Sequence, residues 1–90
     1  MYKRQLRTQP DDRLVALARA GDERAFEAIV VRYRGPLQRH AQRMLDDAGA
    51  EDVVQQAFLS AWSGLRRGDD VRELSAWLHR ILHNLSLIHI

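Results

Sequence analysis

Residues 50–65, AEDVVQQAFLSAWSGL, decide the fold. At helical spacing Val53, Val54, Ala57, Phe58, Ala61, Trp62 and Leu65 fall on one broad apolar stripe, which a helix needs in order to bury one side in a bundle. The other side carries Asp52, Gln55, Gln56 and Leu59, neighbours three or four residues apart. They form a polar surface around a single aliphatic side chain, and such a surface suits a partner helix.

Working outward, the same periodicity recurs on both sides. Upstream, Asp11 or Asp12 opens a short helix with Leu14, Leu17 and Ala18 inside, and Gly21 followed by Asp22 ends one helix and caps the next. Phe26, Ile29, Val30 and Tyr33 then repeat at offsets of three, four and seven. Tyr33 therefore belongs to the core rather than to a base stack. Gly35 and Pro36 interrupt this helix, predicting a kinked long helix or two nearly collinear ones, before Leu37, Ala41, Met44 and Leu45 resume the stripe. His40 has no partner in the pattern and is expected to be packed or solvated. Asp46 to Gly49 form the connection into the central helix.

Downstream, Arg66-Arg67-Gly68-Asp69-Asp70 makes a charged loop, and Asp70 with Glu73 has capping-box spacing that starts the last helix near Val71. Leu74, Trp77, Leu78, Ile81 and Leu82 are its buried stripe. Glu73, Arg80, His83 and Asn84 stand opposite. The predicted architecture is all-α, a compact bundle of about four helices with no sheet.

Composition narrows the function. Ninety residues with 46% apolar and 29% charged side chains describe one soluble globular domain. At that size its stability is roughly 5 to 13 kcal/mol. Absent cysteines exclude disulfides and thiolate chemistry, and no apolar run approaches a membrane span, so a cytoplasmic chain without membrane contact is expected. A net charge of +2 is mild for a nucleic-acid binder, although a pI of 9.7 leans that way. His79 and His83 have metal-compatible spacing, but with no Cys and no acidic ligand beside them they read as charge-tuning groups. The Arg67-Gly68-Asp69 triplet is a chance adhesion motif. No phosphate loop, nucleophile set or paired carboxylates emerge, so no enzyme, no cofactor and no metal are expected.

AEDVVQQAFLSAW followed by AWLHRILHN, with LVALARAGDERAFEAIVVRYRGPL upstream, resembles the promoter-binding region 2 of bacterial extracytoplasmic-function sigma factors across Asp11 to Asn84. The resemblance implies a transcription initiation domain that recognises and melts the −10 promoter element. It implies that Asp52, Gln55, Gln56 and Leu59 dock on the clamp coiled coil of the largest RNA polymerase subunit. The family more often has Glu where Gln56 stands. It also implies capture of a flipped non-template base between the loop and the last helix. Arg66, Arg67, Arg72 and Arg80 would hold single-strand phosphates, His83 would lie near DNA, and Asn84, in wording that matches WL-x-R-I-x-x-N, would read a base edge. Gly68 and Asp69 replace the aromatic or apolar residues common in related loops, which implies feeble melting by the domain alone.

An anti-sigma protein is an implied restraining partner. The rival from another class is a helical protein-interaction or dimerisation module that touches no nucleic acid. By domain, residues 1–10 are expected to be a flexible basic lead with Lys3, Arg4 and Arg7, and residues 11–84 the region 2-like domain. LSLIHI, residues 85–90, reads like a translated transposase recognition end and is expected to be non-native. The second, region 4 domain of such factors is absent from this sequence.

Overall fold

The computed structural model describes residues 6–89 as a bundle of α1 (Asp11–Arg19), α2 (Glu23–Gln42), α3 (Asp47–Arg67) and α4 (Leu74–His89), with no strand among them. α3 packs against the other three helices. Its stripe is sealed as the periodicity demands: Val53, Val54, Ala57, Phe58, Ala61 and Leu65 are buried, and they meet Leu14 of α1, Ile29 and Leu37 of α2, and Leu78 and Leu82 of α4 in one core. Burial of a Leu or Ile side chain contributes about 1.5 to 3 kcal/mol, so this shared core outweighs every surface interaction in the domain.

Local signals set the helix ends. α1 closes in a paired-bond turn in which the Asp22 N–H donates to the Leu17 carbonyl at 3.0 Å and the Gly21 N–H to Ala18 at 2.9 Å, with Gly21 at φ 99. Asp22 then caps α2, accepting from the Arg24 and Ala25 N–H groups. The same turn ends α3. Gly68 sits at φ 92, and the Asp69 N–H reaches the Gly64 carbonyl at 2.9 Å.

α2 runs as one long helix through Gly35 and Pro36, the first of the two expected alternatives, because Leu37 and Ala41 beyond the proline are fully buried and hold the helix together past the missing N–H. Three boundaries differ from expectation. α3 runs on to Arg67, so Arg66 and Arg67 form its last turn instead of opening the loop. α3 starts at Asp47, since the Asp46 carboxylate accepts the Gly49 N–H at 2.8 Å and turns the expected connection into a first helical turn. α4 starts at Leu74 rather than near Val71. Glu73 is its own cap there, accepting the Ala76 N–H at 3.2 Å, while Asp70 pairs with Arg72 and forms no capping box.

Of the flexible lead expected over residues 1–10, residues 1–5, with Lys3 and Arg4, lie outside the described residues. Residues 6–10 are instead tied down. Leu6 is 4% exposed, and Arg32 donates to the Arg7 carbonyl at 3.0 Å and the Gln9 carbonyl at 2.8 Å while pairing with Asp11 at 2.7 Å. Tyr33 donates its hydroxyl to the same carboxylate; burial and that bond push its pKa up to about 12. Tyr33 is thus a strut between α1 and α2. At the other end Leu85 and the buried Ser86 pack while Leu87 and Ile88 face outward, so α4 continues into the segment read as non-native.

Candidate nucleic-acid and partner interfaces

Two surfaces emerge from this packing. The first is the outer side of α3, where Asp52, Gln55, Gln56 and Leu59 are all exposed and Leu59 reaches 70%. Sealing the opposite stripe in the core fixes their outward direction. Beside them runs an open groove of about 1040 Å³ between α2 and α3, floored by Phe26, Val30, Phe58 and Trp62. Phe26 meets Trp62 edge-on at 5.2 Å and Phe58 at 6.4 Å, so the floor is preformed. Glu23, Glu27 and Glu51 rim the groove against the single cation Arg34. Phe26 and Val30, like Trp62, Trp77 and Ile81, are expected from the sequence to lie in the core and are instead half-buried at its edge.

The second surface is the last turn of α3 at Arg66 and Arg67, the 68–73 loop that follows it, and the outer side of α4. Arg66, Arg67, Arg72, Arg80, His83 and Asn84 are all exposed. The loop is pinned from beneath: Arg19 of α1 donates to the carbonyls of Leu65, at 3.4 Å, and of Asp69. Arg66 returns a bond to the Arg19 carbonyl at 2.8 Å and lies 5.9 Å from the Trp62 ring centre. Arg67 pairs with Asp69 at 2.7 Å and Arg72 with Asp70 at 3.2 Å. The Arg67 hydrogen bond holds the Asp69 carboxyl below its usual range and raises the guanidinium in turn. Arg80 pairs with no carboxylate among the described residues.

A concave space of about 510 Å³ adjoins the loop, walled on one side by Asp12, Val15 and Arg19 of α1 and on the other by residues 71–74. This space lies between α1 and residues 71–74, and no local sequence pattern announces α1 as its wall. Asn84 shares a side of α4 with Arg80 but stands ten residues beyond Leu74, about 15 Å along the axis.

His40, expected to be packed or solvated, has a partner. Its Nδ1 faces the His79 Nδ1 at 2.7 Å, with ring centres 4.9 Å apart. The ring radii take up that difference, so the nitrogens point at each other across α2 and α4 and one donates to the other. His83 lies at 6.4 Å. Burial and then the His79, His83 and Arg43 charges push the His40 pKa down. No group of three His, Cys, Asp or Glu among the described residues is arranged to hold a metal.

Fold and surfaces together define a small helical bundle with one exposed helix side of polar residues around Leu59 and one charged edge. The chain belongs to the Sigma-70 region 2 family, whose profile matches residues 29–90. It is 35% identical over 88 residues to the RNA polymerase sigma-H factor of Pseudomonas aeruginosa, covering 94% of this chain and 45% of that one. It is 38% identical over 71 residues to the ECF sigma factor SigW of Bacillus subtilis, covering 78% and 38%. With the ECF sigma-E factor of Escherichia coli the identity is 37% over 76 residues, covering 82% and 39%. The chain thus spans less than half the length of these curated relatives. The NMR structure of an engineered region 2 of sigmaE in complex with GTAAAA matches with a TM-score of 0.83 and 34% identity, covering 90% of this chain and 85% of that one. No helix among the described residues is long and apolar enough to cross a membrane.

Proposed function

We propose that this domain acts in transcription initiation by docking on RNA polymerase through the outer side of α3 and engaging the single-stranded −10 element with residues 66–73, at the end of α3 and in the loop beyond it, and with α4. The observation that carries this reading is the match to a region 2 solved with a six-nucleotide strand, combined with exposure of every side chain the reading assigns to contact. Leu59 supplies desolvated apolar contact to the clamp coiled coil, while Asp52, Gln55 and Gln56 fix register. Arg66, Arg67, Arg72 and Arg80 hold phosphates, His83 adds charge nearby, and Asn84, donor and acceptor both, reads a base edge.

The mechanism is binding, with no covalent step, in the cytoplasm, and an anti-sigma protein would act by covering one of these surfaces. The acid-rimmed groove beside Leu59 extends the docking surface toward a helix with an apolar stripe flanked by cations. Titrating the 90-residue chain against a clamp coiled-coil peptide and a labelled GTAAAA-containing strand tests the reading. Binding to both is expected. Clamp binding without any strand binding would favour an interaction module that touches no nucleic acid.

A further inference from the structure

The loop assigned to phosphate contact neutralises itself. Residues 66–73 carry three arginines and three carboxylates, so the segment brings no net positive charge to a phosphate chain. The pairing is specific: Arg67 donates from Nε at 3.1 Å and from Nη2 at 2.7 Å to the two oxygens of Asp69, the bidentate fork that a phosphate would otherwise receive. Arg72 donates from Nε to Asp70 at 3.2 Å. Asp69 is also held in place, since its N–H and carbonyl are fixed to Gly64 and Arg19. Arg80 on α4 has no such partner among the described residues and stands ready for an anion.

We infer that Asp69 and Asp70 are attenuating residues, internal stand-ins for phosphate that hold Arg67 and Arg72 until a strand displaces them. The inference rests on the proposed strand binding by this loop. A phosphate reaching the loop exchanges one acceptor for another on each arginine and releases a hydrated carboxylate beside its own charge. The loop therefore discriminates against weak, untethered encounters. It engages fully when a docked partner raises the local strand concentration.

The test is fluorescence anisotropy of the full chain with a labelled GTAAAA-containing strand and a scrambled strand across a KCl series. Asp70→Asn and Asp69→Asn, which keep side-chain shape, should each tighten binding to both strands by about two- to fivefold at low salt, the range a surface ion pair can supply. They should also steepen the salt dependence. In the Arg72→Gln background the gain from Asp70→Asn should vanish, and likewise for Asp69→Asn in Arg67→Gln. Persistence of the gain in those backgrounds would mean a general charge effect and would overturn the inference. Aspartate variants no tighter than wild type, where wild type binds, would also remove it. A wild-type chain that binds neither strand would instead remove the underlying DNA-binding reading.

Discussion

Gly64 is where the fold of α3 and the position of the loop are decided by one missing methyl group. A Cβ there would lie 3.0 Å from Cζ2 and 3.3 Å from Cη2 of Trp77, and 3.0 Å from the Asp69 carboxylate. In an open helix Gly→Ala stabilises by about 0.5 to 1 kcal/mol through backbone entropy. Here it forces an indole on α4 and a fixed loop residue to move, and overpacking of that kind costs about 1 to 3 kcal/mol. The balance is a net loss of about 0 to 2.5 kcal/mol. For a chain of this size each kcal/mol lowers Tm by about 4 to 8 °C. Gly64→Ala should therefore melt no higher than wild type by circular dichroism, and by as much as about 10 to 20 °C lower at the top of that range. Combined with Trp77→Leu, which opens the space, the added methyl should become neutral or stabilising relative to Trp77→Leu alone. A Gly64→Ala chain more stable than wild type by the full propensity gain would show that α3 and α4 do not meet as described.

Leu59→Glu should abolish clamp coiled-coil binding while leaving Tm within about 1 °C, because a 70% exposed side chain contributes nothing to the core; isothermal titration and thermal melts read the two effects. Arg80→Ala should weaken all strands alike and reduce the salt slope by about 0.7, whereas Asn84→Ala should change the rank order of −10 variants in a binding panel; equal losses on every sequence would remove its reading role. Stability should fall as pH drops below about 6.5. The native state holds His40 with a lowered pKa, so the unfolded chain binds the proton first and acid favours unfolding. Urea midpoints at pH 7.5 and 5.5 should differ for wild type, and the difference should shrink in His40→Gln.

The stripe on α3 could be read from sequence because a 3.6-residue period with no competing signal leaves one way to turn seven apolar side chains inward, and all but the half-buried Trp62 are sealed. The Gly21 turn was legible because a left-handed residue at a helix end is a local requirement, whereas Gly68, read only as part of a charged loop, proves to end α3 in the same way. Boundaries governed by competition were not legible. Pro36 leaves open a kinked helix or a break, and only the burial of Leu37 and Ala41 shows why one helix runs through it. Asp70 and Glu73 spell a cap, yet Arg72 draws Asp70 away and leaves Glu73 to cap alone. The outward direction of Asp52, Gln55, Gln56 and Leu59 followed from the stripe. The α1 wall beside the loop and the His40–His79 contact join residues far apart in the chain, and a periodicity argument holds no information about such pairs.

A single helix carries the proposed docking side and leads directly into the loop. From Leu59 to Gly68 is nine residues, about 13 Å of α3, and the intervening Ala61, Gly64 and Leu65 are buried against α4 and the core. The turn at Gly68 and the Arg19 bonds then fix the loop to the end of that helix. A partner held at Leu59 therefore sets the position of Arg67 and Arg72 without any rearrangement, because the helix between them cannot bend without opening the core. Docking and strand capture should accordingly be coupled through tethering, with the clamp raising the effective strand concentration at an unchanged loop. An allosteric alternative would need a second arrangement of α3 against α4, and the close seat of Trp77 on Gly64 leaves no room for one without moving the indole.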